Sequence, residues 1–334
     1  MNQRRRYVVA VLGATGAVGR ELVEAIDRMR FPVSELRVLA SEDSIGAEIT
    51  HGKRQVVCEA LVEEQLRGVD LVLCALPGPV AAVWVPKARA AGATVIDTSS
   101  WCSKRSETPL VVPDVNPEQL ATMPSIVASP TAVSVAVSRA IRPVLATCGE
   151  VVTSAVVSAL LPASHVGHGA LEELHQQSTA LLNFRPVDVE RLPARLAFNC
   201  VPQSSDGTAN SSTDERRIES ELERLLNISV DCQAVLVPVF VGASVFVHLT
   251  LNQQLSRDQV VTALQQAHGV RLHLDDAPTP SDLGEEDVIE IGKLRLTDHS
   301  CQLWVTIDNL RSGSAVNMLR LAQLLDLAWS TARA

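Results

Sequence analysis

The stretch Tyr7-Val8-Val9-Ala10-Val11-Leu12 runs directly into Gly13-Ala14-Thr15-Gly16-Ala17-Val18-Gly19, and no other segment constrains the fold so strongly. An apolar strand is followed by a turn with three glycines, and then Val18, Leu22, Val23, Ile26 and Met29 recur at helical spacing. Strand, glycine turn and helix open a βαβ unit of the kind that binds a dinucleotide. Glycine lets the backbone turn sharply and approach a pyrophosphate. Free N–H groups and the dipole at the helix N-terminus then hold the negative charge. The spacing Gly-x-x-Gly-x-x-Gly is a variant of the stricter Gly-x-Gly-x-x-Gly, so its weight comes from the flanking strand and helix. The alternative is a tight strand-to-helix turn with no ligand. On the nucleotide reading, Gly13, Thr15, Gly16, Ala17, Val18 and Gly19 are cofactor-binding residues, and the cofactor is NAD or NADP.

The alternation continues. Leu36–Ala40, Val69–Ala75, Ala93–Asp97 and Ser125–Ala128 read as strands, with the segment Pro109–Pro113 between the last two and a helix pattern from Pro79 to Ala91. Continuous apolar strands separated by helices predict a doubly wound parallel sheet covered on both faces, a Rossmann-like domain ending near Pro130. The pattern then changes. Val151–Leu161 is a long apolar run, Glu172–Leu182 is helical, 183–196 is a connecting loop and Thr213–Leu226 is a charged amphipathic helix. Gln233–Val241 reads as an apolar strand. Ser244–Asn252 alternates, with Val245, Val247, Leu249 and Leu251 on one side and Ser244, His248 and Thr250 on the other. Period-two alternation predicts a mixed or antiparallel sheet open on one face, which could carry a subunit interface. An acidic, proline-bearing loop spans 275–287, the strand Gln302–Ile307 follows, and a last helix runs from Ser314 to Trp329. The fold class is therefore α/β, with an α+β second domain.

Composition removes several function classes. A net charge of −9 argues against nucleic acid or an anionic membrane as the main partner. No apolar segment reaches the roughly 18 residues of a membrane span. Seven cysteines without Cys-x-x-Cys spacing fit a reducing compartment, with cytoplasm as the default, and neither a disulfide framework nor a zinc site.

Several segments together resemble the aspartate-semialdehyde dehydrogenase family across nearly the whole chain. They are the glycine turn, Val38-Leu39-Ala40-Ser41-Glu42, Val95-Ile96-Asp97-Thr98-Ser99-Ser100, the run from Pro109 to Pro117, Ala197-Phe198-Asn199, Val237-Pro238-Val239-Phe240-Val241-Gly242 and the run from Leu303 to Arg311. The resemblance implies a nucleotide-binding domain, residues 1–130, completed by a C-terminal helix at 314–334, and a catalytic and dimerisation domain at 131–313. It also implies homodimers or homotetramers that reduce an aspartyl phosphate through a cysteine thioester, with NADPH and phosphate.

At the residues that carry this chemistry the chain departs from the family. The family nucleophile lies in an Asn-Pro-Asn-Cys-like turn at a helix N-terminus, where the dipole lowers the thiol pKa. Here the segment is Ser129-Pro130-Thr131-Ala132, so Ala132 takes the cysteine position. The family base lies in a Gly-His-Ser-Glu turn that here reads Gly242-Ala243-Ser244-Val245, so Ala243 takes the histidine position. A family glutamine aligns with Val156, with an apparent insertion near Leu161–His165. After the second strand, a Ser-x-Arg-Ser-like loop that holds the adenosine 2′-phosphate reads Ser41-Glu42-Asp43-Ser44. Ser41 and Ser44 keep cofactor-binding positions, and a carboxylate there favours NAD over NADP unless both acids point to solvent. Asn317 matches a cofactor-contacting position. Arg217 matches the family's anion-binding lysine or else is an exposed helix charge. An expected arginine is Ser103, beside Lys104 and Arg105, and another is Leu236.

Three further features carry candidate chemistry. His165, His168, Glu172 and His175 resemble a metal set in composition only, and no metal site is expected. Cys102 is a conceivable relocated nucleophile or a small buried hydrophobe. Ser134 caps or packs a helix. The expectation is a nucleotide-binding homodimer without the family's catalytic activity, similar to the Usg-like members that lack the cysteine. The alternative is an active NAD(P)-dependent oxidoreductase on another small aldehyde, acyl phosphate or hydroxy acid.

Overall fold

The computed structural model describes residues 5–149, 151–203, 213–284 and 287–331. The chain divides into two compact units, Met1–Pro130 with Ser314–Ala334, and Thr131–Gly313.

The first unit holds strands β1 (Tyr7–Leu12), β2 (Val33–Ala40), β3 (Glu48–His51), β4 (Arg54–Val57), β5 (Glu59–Ala60), β6 (Leu71–Cys74), β7 (Thr94–Asp97) and β8 (Ile126–Ala128), with helices α1 (Ala17–Arg28), α2 (Gly78–Ala90) and α3 (Ser100–Ser103). Six of these strands form one sheet in the order β5-β2-β1-β6-β7-β8, every pair parallel, and β3 and β4 form a separate hairpin. The order reverses at β1, beside the glycine turn, which is where open α/β sheets bind ligands. Pro109–Pro113 makes only a single bridge, Leu110 to Ala128.

α1 buries Leu22, Val23, Ala25 and Ile26, and Arg28 in its last turn suits the negative end of the dipole. Burial of each such aliphatic side chain contributes roughly 1.5–3 kcal/mol. The same buried cluster contains Val9, Val11, Ala14, Ala315, Met318, Leu321 and Leu325, so the C-terminal helix closes the first unit. Polar anchors fix it there. The Tyr7 hydroxyl donates to Asp326 Oδ1 at 2.7 Å. Arg320 donates to both carboxylate oxygens of Asp114 at 2.5 and 2.6 Å.

The second unit contributes α4 (Ala132–Cys148), β9 (Val152–Leu161), α5 (Ala163–Val166), α6 (His168–Leu182), β10 (Val201–Pro202), α7 (Thr213–Leu226), β11 (Ser229–Leu236), β12 (Ala243–Leu251), α8 (Arg257–Gln266), β13 (Val270–Leu272), β14 (Ile289–Leu296) and β15 (Ser300–Ile307), and α9 (Val316–Thr331) follows. Its seven strands run β10-β11-β9-β12-β15-β14-β13. The sheet is mixed: β11/β9 and β13/β14 are parallel and the other pairs antiparallel. The expected alternation of β12 is present, with Val245, Val247, Leu249 and Leu251 buried and Phe246, His248 and Thr250 exposed.

Several boundaries differ from the sequence reading. The strand expected at Gln233–Val241 is β11, which ends at Leu236. Pro238 has no N–H for a ladder, and Val237–Val241 leaves the sheet. The helix expected at Glu172 begins at His168. The last helix starts at Val316, because Arg311–Ala315 forms one π-helical turn. Ser244, read as facing outward, is buried. The segment around Pro278 covers that end of the sheet, where Pro278 O accepts from Trp304 Nε1 at 2.6 Å and Thr306 Oγ1 at 3.0 Å.

Candidate functional site

The glycine turn is a cradle that side chains would fill. Gly13 sits at φ +78°, and a Cβ there would lie 2.8 Å from Ala75 O. A Cβ on Gly19 would lie 2.1 Å from Gly13 O and 2.6 Å from Ala14 Cα. Gly16 is the N-cap of α1 with no side-chain cap, and the first turn carries no acid. The leading N–H groups at Ala17 and Val18 therefore point out of the helix end unsatisfied by a cap, as a pyrophosphate requires. On this ground the residues fit a dinucleotide.

The turn after β2 comes back to this cradle. Thr15 Oγ1 donates to Ser44 Oγ at 3.2 Å, and Ser41 Oγ lies 3.4 Å from Ser44 Oγ. Glu42 and Asp43 form the short 3-10 turn between the two serines, and both are exposed. Asn317 is buried near the start of α9 and donates from Nδ2 to Ser129 Oγ at 2.8 Å.

In the second unit, Ala132 is the first residue of α4, which Thr131 caps. A carboxylate meets this helix end. Glu221 Oε2 accepts from Thr131 N at 2.8 Å and from Thr131 Oγ1 at 2.9 Å, while Glu221 Oε1 accepts from Arg217 Nε at 2.8 Å. Arg217 is thus not an exposed charge; it stands half-buried against an internal carboxylate. Ser134, the candidate cap, sits one turn in, and its N–H donates to Thr131 Oγ1 at 3.3 Å. Its hydroxyl lies 2.8 Å from Thr131 Oγ1. Because the Glu221 carboxylate can only accept, the threonine proton goes there and Ser134 completes the chain as donor.

Ala243 opens β12 and is 1% exposed. Asn309 organises its surroundings: its Oδ1 accepts from Gly242 N at 2.9 Å, and its amide exchanges hydrogen bonds with Ser164 Oγ at 3.0–3.1 Å. Gly313, on the same turn as Asn309, abuts Ala132 so closely that a Cβ there would meet the alanine Cβ at 2.5 Å. The Asp308–Gly313 turn therefore joins the Ala132 and Ala243 positions into one neighbourhood. Val156 does not belong to it. That residue is exposed in the middle of β9, opposite His248 of β12, five positions and roughly 16 Å along the strand from Ala243. The chain passes Ala243 at the end of β9 instead, with Leu160 opposite Ser244 and Ser164 just beyond.

The remaining candidates separate cleanly. Cys102 is fully buried, and burial together with the neighbouring Asp97 carboxylate pushes its thiol upward, the setting of a small buried hydrophobe. Ser103 is buried, Lys104 is exposed, and Arg105 pairs with Glu107 and lies over the Trp101 ring. His168 pairs with Glu172 at 3.5 Å, and no metal-binding group occurs among the described residues. His165 instead meets Asp214, Nε2 to Oδ2 at 3.1 Å. Asp214, Arg217 and Glu221 follow helical spacing along α7, so one face of that helix presents Asp214 to His165 and Glu221 to both Arg217 and Thr131. Sequence reasoning missed Thr131, Ser164, Asp214, Glu221 and Asn309 as site residues; only the i, i+4 spacing of Arg217 and Glu221 was a readable signal.

The family model described as semialdehyde dehydrogenase, NAD binding domain, matches residues 8–123, and that described as semialdehyde dehydrogenase, dimerisation domain, matches 141–312. Aspartate-semialdehyde dehydrogenase 2 of Vibrio cholerae is 33% identical over 332 residues, covering 96% of this chain and 98% of the relative. The crystal structure of aspartate semialdehyde dehydrogenase II from that organism superposes with a TM-score of 0.90 at 32% identity, over 96% of this chain and 98% of the other. A probable aspartate-semialdehyde dehydrogenase from Pseudomonas aeruginosa gives 0.87 at 30% identity, over 96% and 98%.

Proposed function

Because the chain belongs to the aspartate-semialdehyde dehydrogenase family, we propose that it is a nucleotide-binding homodimer that does not run the family's phosphorylating aldehyde dehydrogenase reaction. One observation carries the reading: methyl groups stand at Ala132 and Ala243, within surroundings that are otherwise assembled. A methyl forms no thioester and moves no proton, and loss of such groups costs several orders of magnitude in rate. Glu221 adds to the argument, since its carboxylate already occupies the positive N-terminal end of α4 that would otherwise stabilise a thiolate or oxyanion.

Gly13, Gly16 and Gly19, with the Ala17 and Val18 N–H groups, hold the dinucleotide, and Thr15, Ser41, Ser44 and Asn317 surround it. When bound, its nicotinamide supplies a hydride acceptor or donor. The open face of the second sheet, where Val156 and Phe246 are exposed and Leu160 and Val235 half-buried, forms the contact between two copies, in keeping with the matched dimerisation domain. The domain division 1–130 with 314–334, and 131–313, carries these two roles. The residues match a cytoplasmic protein in their reduced cysteines, and no described helix is long and apolar enough to cross a membrane.

The test is a search for the covalent intermediate. Native protein incubated with aspartate semialdehyde and NADP is expected to show no acyl mass adduct and no nicotinamide reduction. A trapped adduct on any residue overturns the reading.

A second reading, an oxidoreductase on another small aldehyde, acyl phosphate or hydroxy acid without a covalent step, draws on His165. Asp214 orients its ring through Nε2, which leaves Nδ1 as the nitrogen available to exchange a proton with a substrate. Nicotinamide turnover with a member of such a panel, lost in His165→Asn, supports this reading; inactivity across the panel with a stable dimer supports the first.

A further inference from the structure

We infer that the cleft between the C-terminal end of α2 and the outer edge of β8 is a second ligand site, one that takes a small aromatic carboxylate. β8 stands three strands from β1 and its glycine turn, about 14 Å across the sheet at the usual strand spacing. The cleft adjoins Ser125 and Ile126 at the start of β8, whereas the Asn317–Ser129 contact lies beyond its end. It is therefore separate from the nucleotide cradle. Its volume of about 770 Å³ is that of a small-molecule site.

The strand edge decides the size of the occupant. Ala128 turns its backbone away from β7, donating its N–H to Pro109 O at 2.8 Å and accepting from Val111 N at 2.9 Å. Ile126, two residues earlier, points its N–H and C=O the same way, and no described strand lies opposite it. This edge is too short to recruit an extended peptide. Pro124 has no N–H to continue a ladder, and the Pro109–Val111 segment already covers Ala128. One backbone donor and one acceptor remain beside the cavity that Ile126 lines, which suits a small molecule.

The walls decide its chemistry. Pro86, Pro109 and Pro124 give rigid apolar surface, and Trp101 adds a half-buried indole. Such surfaces favour a flat apolar body. Two arginines also line the cleft, and they differ. Arg105 is engaged, with its guanidinium carbon 4.8 Å from the centroid of the Trp101 ring and an ion pair to Glu107. Arg89 forms no ion pair among the described residues. With Glu107 balancing Arg105, one positive charge is left for a ligand. A guanidinium fork matches the two oxygens of a carboxylate, whose single charge balances Arg89. A phosphate dianion would leave one negative charge unmatched.

Calorimetric titration of the native full-length chain, without nucleotide, tests this with cinnamate, its neutral amide and phenyl phosphate as probes. Cinnamate is expected to bind saturably with a dissociation constant below about 1 mM, and the amide about fivefold or more weakly. Arg89→Met, at an exposed helix end, should melt like the native protein. It should weaken cinnamate about tenfold while the amide stays within about twofold. Trp101→Leu should weaken both probes severalfold, and saturating NADP should displace neither. No saturable binding of cinnamate, equal affinities for acid and amide, or undiminished cinnamate binding by Arg89→Met overturns the inference. So does tighter binding of phenyl phosphate, or displacement by NADP. Nucleotide binding and the search for an acyl adduct are read separately, so failure here leaves the proposed function standing.

Discussion

The glycine turn before α1 and the Thr131 turn before α4 are both strand-to-helix junctions, and they have kept different things. At the first, recognition is made by backbone: three positions without Cβ atoms and the N–H groups of an uncapped helix. At the second, the chemistry of the family rests on individual side chains, and our proposal is that the methyl group at Ala132 leaves that chemistry without its sulfur. A backbone device is hard to lose without losing the fold, because the glycines also let β1 and α1 pack. A side-chain device can vanish while its scaffold of Thr131, Glu221, Arg217 and Asn309 stands. Inherited architecture is therefore better evidence for nucleotide binding than for catalysis.

The largest way to break this contrast is to attack the scaffold that persists. Glu221→Ala leaves Arg217, only 15% exposed, facing no carboxylate from Glu221, and strips Thr131 N–H of its acceptor. We expect a loss of about 3–5 kcal/mol in denaturant unfolding, and a loss below 1 kcal/mol would show that the polar chain is idle. Next comes the cradle. Gly19→Ala drives a methyl into the Gly13 carbonyl, against backbone that cannot yield cheaply, so we expect about 1–3 kcal/mol of destabilisation. Nucleotide binding should disappear in calorimetry, and unaltered affinity would mean that the turn does not approach the ligand.

Smaller effects sharpen the contrast. Ala243→His places an imidazole where 1% of the residue is exposed and Asn309 already binds the preceding N–H, at a cost of about 1–2 kcal/mol. Ala132→Cys, at a half-buried helix start, should change stability by less than about 0.5 kcal/mol. The pair of changes tells whether the neighbourhood is more tightly closed around Ala243 than around Ala132; thermal melts of the two single variants measure it. The smallest expected signal is in thiol labelling of the native protein. Cys200 is exposed and should react first, whereas burial and the raised thiol should keep Cys102 unmodified until unfolding. Rapid labelling of Cys102 would reopen its candidacy as a nucleophile.

The sequence made the first unit legible because its signals are local. Apolar strands, the glycine spacing and the helical recurrence of Leu22 and Ile26 each lie within a dozen residues. The second unit was readable in its alternation at β12 and less so at its edges, since Val237–Val241 is as apolar as a strand and only Pro238 and the missing neighbour end it. The candidate site was legible where substitutions fall inside motifs, at Ala132 and Ala243. Val156 pairs with His248, five positions along β12 from Ala243, and that separation is not visible in the sequence. Contacts such as Thr131 with Glu221, 90 residues apart, and Ser164 with Asn309, 145 apart, leave no trace in spacing.

One measurement bears most directly on the contrast. A single sample of native protein, shown by calorimetry to bind NADP, is assayed at high protein concentration with aspartate semialdehyde and inorganic phosphate. We predict saturable nucleotide binding and no NADPH formation above the buffer rate. Formation of NADPH that scales with protein concentration, and ceases when the nucleotide cradle is disrupted by Gly19→Ala, would contradict the account.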